Sequence, residues 1–443
     1  MKKQALALHG GPKVRRKPFP VHPVMGAEER SGVLGVLKTG KLSGFIAKAG
    51  DAFLGGPKVR ELEKLFEKKF GARYAMAVNS ATAGLHCALA ACGVGPGDEV
   101  IVPPYTMAAS ASAVLMCSAV PRFVDISEDI FSLDPELLEK AITPRTKAIV
   151  VVHLFGHPAR MDEILQIARR HKLKVVEDCA QSPGAKYKGK YAGTLGDAGV
   201  YSFNQHKTIT TGEGGVVVTN DDTIALKVRL VRNHGEAVVE DMQVEDISNT
   251  LGWNYRMTEL EAAVGCAQFR KLDRLTAHRV KLVNALIKGL RKFPGLTMPA
   301  TLQGATHTYF VVPIRYDAAI AGIPRDLLIK ALAAEGIPFG QGYVKPIYLM
   351  PHYRQLLCHG SHGWPFAAIP ASERQQYKKG LCPVTEKLHE ETLIHTNLCY
   401  YPMTLADAAD IVAAFEKIFA NTESLLSGAP AAPAKPKRAK VGV

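Results

Sequence analysis

No stretch of the 443-residue chain comes near the roughly 20 consecutive apolar residues that a membrane-spanning helix needs. The apolar segment near the start, within Met1–Gly11, is also too short for a secretory leader. Paired cysteine spacing is missing as well. Cys87, Cys92, Cys117, Cys179, Cys266, Cys358, Cys382 and Cys399 stand singly in apolar contexts, which argues against a disulfide framework and for reduced thiols in a cytoplasmic protein. Cys358-His359 with His362 lacks a second pair of ligands, so no metal site is expected. No internal repeat is present. Acidic residues are absent from the first 17 positions, which carry Lys2, Lys3, Lys13, Arg15, Arg16 and Lys17. The other basic cluster, Lys435, Lys437, Arg438 and Lys440, closes the chain. Those ten residues account for most of the net charge of +14, so the body carries no nucleic-acid signature and neither nucleic acid nor membrane is expected as a partner.

What is present is a hydrophobic content of 47% and enough length for two domains. Residues 1–55 carry Gly, Pro and basic residues with little periodicity and read as an arm laid on the body. Residues 56–290 read as a large α/β domain, opened by an amphipathic helix with Leu62, Leu65, Phe66 and Phe70 on one face. Strands are expected at Tyr74–Val78, Glu99–Val102, Arg122–Asp125, Lys147–Val152, Lys174–Glu177, Ala198–Tyr201 and Gly215–Thr219. Most are continuous Val/Ile runs, as in strands covered on both faces, so a mostly parallel seven-stranded sheet follows. The last strand is expected to be antiparallel, because the loop before it has no room for a crossover helix. Thr258 and Glu261 form a capping box for a helix Glu259–Leu272. A smaller C-terminal α+β domain occupies 291–426, with a strand Thr308–Ile314, helices Pro324–Glu335 and Leu405–Phe419, and a Gly-, Pro- and aromatic-rich lid between Gly340 and Pro383. Residues 427–443 read as a disordered basic tail.

Between the last two strands of the large domain lies Lys207, in Ser202-Phe203-Asn204-Gln205-His206-Lys207 followed by Gly212-Glu213-Gly214-Gly215. A lysine short of water is available as an amine nucleophile, and the aldehyde cofactor that commonly takes such an amine as a Schiff base is pyridoxal 5'-phosphate, PLP. A lone lysine there is more often an ordinary snorkelling side chain, so the reading stands on its partners. Asn79-Ser80-Ala81-Thr82 opens a helix, whose free N–H groups and the hydroxyls of Ser80 and Thr82 suit a phosphate. Asp178 ends a Val-rich strand, where a carboxylate can keep a pyridine nitrogen protonated, and Gln181 is placed for the ring hydroxyl. Ser202 adds a phosphate donor. Pro103-Pro104-Tyr105-Thr106-Met107 follows another strand and can cover the ring face.

At these residues the chain resembles the DegT/StrS-type sugar aminotransferases, PLP enzymes of fold type I, from roughly Pro57 to Phe419. The resemblance is carried by Asn79–Ala83, Gly95–Val100, His153–Gly156, Glu177–Gln181, Ser202–Gly215 and Trp253–Met257. Leu8-His9-Gly10-Gly11-Pro12 and Gly340-Gln341-Gly342-Tyr343 look more like the aminocyclitol branch. The resemblance implies that Lys207 is Schiff-base residue and proton shuttle, that Asp178 pairs with the pyridinium and that Gln181 faces the ring oxygen. It implies that Ser202, Ala81 and Thr82 hold the phosphate, and that Asn254 reaches the site of a neighbouring subunit in a homodimer. Two positions depart from the family: Met107 stands where an aromatic residue is common, and Ala81 where Gly is. The implied activity is amino transfer from glutamate or glutamine to a nucleotide-linked keto-sugar or a cyclitol ketone. Alternatives are a PLP/PMP-dependent sugar dehydratase on the same scaffold, which would carry His in place of Lys207, and a non-catalytic PLP-binding regulator.

Overall fold

The computed structural model describes residues 4–428. The expected basic tail lies outside the described residues apart from its first two; of these, Ser427 closes the short helix Thr422–Ser427.

Seven strands form the large sheet: β1 (Tyr74–Val78), β2 (Glu99–Val102), β3 (Val120–Phe123), β4 (Thr146–Val152), β5 (Lys174–Asp178), β6 (Ala198–Ser202) and β7 (Gly215–Thr219). Their spatial order is β1-β7-β6-β5-β4-β2-β3. The pairs β2–β3, β2–β4, β4–β5 and β5–β6 are parallel. β7 runs antiparallel to both its neighbours, as its short approach loop requires. Buried Val, Ile and Ala line both faces because helices cover both. One of these is α2 (Pro57–Phe70), which buries Val59, Leu62, Phe66 and Phe70. Another is α3 (Ala81–Ala91), which comes down on the sheet through Gly84, where a Cβ would stand 2.8 Å from a Val200 methyl.

Several boundaries differ from the sequence reading, each for a visible reason. β3 starts two residues early, because Val120 N–H donates to the Asp98 carbonyl and an edge strand tolerates Pro121. The helix after Thr258 is two helices, α4 (Glu259–Arg270) and α5 (Leu272–Leu290). The strand expected from Thr308 begins at Val312. Thr308 N–H is bound to the Gly156 carbonyl, and Tyr309 has φ +51°, so this segment turns inward. The arm contains a helix, α1 (Ala27–Thr39), whose Glu29 accepts from Gln268 and Lys271 of the body.

A second sheet, β8 (Leu296–Thr297), β9 (Val312–Tyr316), β10 (Gly340–Gln341) and β11 (Leu393–Thr396), has the order β8-β9-β11-β10 and is antiparallel throughout. Its core takes in Leu282, Leu286 and Leu290 of α5 and Ile411, Phe415 and Ile418 of α7 (Leu405–Ala420; α6 is Arg325–Ala334). The hydrophobic clusters therefore divide the chain differently from a boundary at 290/291. Much of the stretch expected as a lid also joins the large-sheet core. Tyr348, Tyr353 and Tyr377 surround Phe123 of β3, and the Gln375 amide accepts from Phe123 N–H at 2.7 Å and donates to its carbonyl at 2.8 Å. This caps an edge strand that would otherwise present unpaired groups. Only Gly340 and Tyr343 of the stretch line the central cavity.

Candidate active site

β1, β5 and β6 deliver their carboxyl ends to one cavity of about 1090 Å³, roofed by the second sheet and the arm. Ser80, Ala81, Thr82, Met107, Asp178, Gln181, Ser202 and Lys207 all line it. Residues scattered over more than 120 positions thus meet where open α/β sheets bind ligands.

Ser80 caps α3, its Oγ accepting from Ala83 N–H at 3.1 Å. The N–H groups of Ala81 and Thr82 and the Thr82 hydroxyl make no hydrogen bond among the described residues. A helix start with free donors facing a cavity is a ready anion site. Ser202 Oγ accepts from Asn204 N–H at 3.3 Å, keeping its own proton available.

Asp178 is buried. Its Oδ1 accepts from Ala180 N–H at 3.1 Å and its Oδ2 from the Ser110 hydroxyl at 2.8 Å. Glu177 points to the opposite face, as strand alternation requires. There it accepts from His153 Nε2 and from the N–H groups of Gly193, Leu195 and Gly196. His153, Glu177 and Cys179 lie close enough to hold a metal ion. Their hydrogen bonds already account for the His and the Glu, however, so this is a structural cluster. The Gln181 amide is fixed from both sides: its Oε1 accepts from Phe155 N–H at 2.8 Å and its Nε2 donates to the Tyr343 hydroxyl at 3.0 Å.

The loop carrying Lys207 is stitched to itself. Phe203 N–H donates to the Gly214 carbonyl, Thr211 N–H and Thr210 Oγ1 donate to the Phe203 carbonyl, and Lys207 N–H donates to the Asn204 carbonyl. Gly212 at φ +91° and Gly214 at φ +148° close it, in backbone states a side chain would strain. The Lys207 ammonium lies 4.4 Å from the Phe310 ring centroid. Burial pulls its pKa down from 10.5 to about 8, against the opposing attraction of Asp178. Lysine and aspartate therefore feel each other across one cavity.

Met107 lines the cavity but remains 64% exposed. Asn254 is exposed and outside the cavity, its Oδ1 accepting from Arg256 Nε at 2.8 Å. Sequence reasoning missed Ser110, Phe310 and the arm residues Phe19 and His22, all at or beside the site. Ser110 is the second residue of a small-residue helix, Ala109–Met116, and nothing in its local pattern marks it.

The cavity fits PLP on its own features. It offers an amine poised near neutrality, a buried carboxylate opposite, and unpartnered donors at a helix start. Comparison with known proteins agrees. The sequence profile of the DegT/DnrJ/EryC1/StrS aminotransferase family matches residues 45–368. GDP-perosamine synthase of Caulobacter vibrioides is 42% identical over 302 residues, covering 68% of this chain and 80% of that protein. A putative L-glutamine:3-amino-2,3-dideoxy-scyllo-inosose aminotransferase of Streptoalloteichus tenebrarius is 35% identical over 430 residues, covering 95% and 99%. The X-ray structure of an aminotransferase from Psychrobacter cryohalolentis superposes with a TM-score of 0.79 at 30% identity, covering 92% of this chain and all of that one. With the lysine, the carboxylate and the phosphate cradle on one cavity, the chain belongs to the DegT/DnrJ/EryC1/StrS aminotransferase family and is a PLP-dependent enzyme.

Proposed function

We propose that the enzyme transfers an amino group from glutamate or glutamine to the ketone of a sugar or cyclitol, and that the acceptor is either nucleotide-linked or a free ring. The observation that carries this is the placement of Lys207 and Asp178 on one cavity with room left over for a ring-sized second substrate. Relatives named for a GDP-sugar product and for an inosose support both acceptor classes.

Bound here, PLP supplies a carbonyl that takes up the donor nitrogen and a ring that accepts electrons. The chain supplies the rest. Lys207 Nζ holds the cofactor and then moves a proton, for which a pKa of about 8 is well placed. Asp178, held by Ser110 and Ala180, would pair with the ring nitrogen and keep a proton there. The start of α3, with Ser80, Ala81, Thr82 and Ser202, anchors the phosphate. Gln181, its orientation set by Phe155 and Tyr343, would meet the ring oxygen. Met107 would cover one ring face with a polarizable side chain.

The protein works as a homodimer in this reading. Asn254 stands on the surface beside Leu251 (68% exposed) and Trp253 (45% exposed), an apolar patch suited to a partner subunit, and serves that partner's phosphate. His206 also lines the cavity, but Lys207 is the residue whose charge interacts with Asp178, which favours transfer over dehydration. The deciding experiment is a panel of nucleotide-linked keto-sugars and inosose-type ketones, each with glutamate and with glutamine. Amino product from at least one ring ketone supports the reading; turnover confined to amino acids and keto acids would overturn it.

A further inference from the structure

Arg279, on α5, is a buried cation without an acidic partner among the described residues. It is 3% exposed, yet it lines the cavity. Only its Nη1 is engaged by the protein, donating to the carbonyls of Tyr309 at 3.1 Å and Phe310 at 3.0 Å. Nε and Nη2 have no hydrogen-bond partner among the described residues. A charge taken out of water is normally paired, and pairing by two carbonyls leaves it uncompensated. The strain shows in its surroundings: burial lowers its pKa to about 10, and its charge adds to burial in holding His22 below the ordinary histidine range.

The carboxylates on the cavity wall do not relieve it. Asp178 is held by Ser110 and Ala180 and interacts with Lys207, and Glu213 accepts from Asn204 at 3.0 Å. The position relative to the reacting amine narrows the ligand. Arg279 holds the backbone of Phe310, whose ring lies 4.4 Å from Lys207 Nζ, so the guanidinium and the amine touch the same residue of the cavity wall. In an α-amino acid the carboxyl carbon is two bonds, about 2.5 Å, from the nitrogen that is transferred. The phosphate of a nucleotide-linked sugar lies farther from a ring ketone, across the sugar.

We propose that Arg279 is the subsite for the α-carboxylate of the amino donor, its Nε and Nη2 forming a two-pronged hydrogen-bonded pair with that group. The inference rests on the reading that the donor is an α-amino acid. It also makes the cavity two-sided: an anion-binding side under the second sheet for the donor, and open space elsewhere for the ring ketone.

The test is calorimetric titration of the holoenzyme with glutarate, an unreactive dicarboxylate, and separately with GDP as the alternative source of anion. Arg279→Gln is expected to weaken glutarate about thirtyfold, the range for loss of a charge-assisted pair, while GDP binding stays within twofold. Arg279→Lys is expected to fall between. Unchanged glutarate binding in Arg279→Gln, or equal loss of both ligands, would overturn the proposal. Should the glutamine variant not fold, labelling of wild-type Arg279 by phenylglyoxal, mapped by mass spectrometry, decides the matter. Protection by glutarate and not by GDP is expected, and protection by GDP alone would overturn it. Failure of the wild-type enzyme to accept nitrogen from any amino acid would sink the donor reading itself, which keeps the two failures apart.

Discussion

Lys207 with a pKa of about 8 makes a quantitative prediction about cofactor capture. An ordinary lysine at 10.5 is neutral in about one molecule per thousand at pH 7.5, whereas one at 8 is neutral in about a quarter, a roughly two-hundredfold gain in nucleophile. The capture rate of PLP by cofactor-free protein, followed by the rise in near-visible absorbance, should therefore climb with pH and reach half its maximum near pH 8. The cause can be separated by substitution. Burial lowers the value while Asp178 raises it, so Asp178→Asn removes the raising influence and should move the midpoint to lower pH. A midpoint near 10 in the wild type, or an upward shift in Asp178→Asn, would refute the claim that desolvation sets the reactivity of this amine.

Other outcomes follow from contacts elsewhere. Ser110→Ala deletes a hydroxyl donated to Asp178 at 2.8 Å, and PLP affinity measured by equilibrium titration should fall about tenfold, as for a hydrogen bond to a charged group. Lys207→Ala should leave a folded protein without cofactor absorbance or turnover, checked by circular dichroism and spectrophotometry. Glu335, fully buried, ties the arm down by accepting from Ala7 N–H, Val14 N–H and Lys417. Glu335→Ala strands Lys417 and should cost about 3–5 kcal/mol by denaturant titration, with residues 4–25 becoming the first sites of limited proteolysis.

Much of the fold was legible because continuous Val/Ile runs mark strands covered on both faces, and β2 and β7 fall where the runs do. α5 went unread: Leu272, Leu275, Leu282, Leu286 and Leu290 recur at helical spacing, yet the helix expected after the capping box was ended at Leu272. The strand before Val312 could not be placed, because what turns Phe310 over Lys207 is a long-range bond between Thr308 and Gly156. The same limit applies at the site. Lys207, Asp178, Gln181 and Ser202 follow strand ends and can be found one at a time. Ser110, Phe310 and Arg279 reach the cavity through packing between distant segments, and no local pattern announces them. The aromatic stretch after Gly340 carried the composition of a lid, yet its tyrosines close around Phe123, because an unprotected edge strand needs covering.

The most direct test of the central claim is borohydride reduction of the PLP-loaded enzyme, followed by proteolysis and mass spectrometry. The account predicts that a phosphopyridoxyl mass appears on the peptide containing Lys207 and is missing from Asp178-containing and all other peptides. Label on a different lysine, or no fixed label at all, would contradict it.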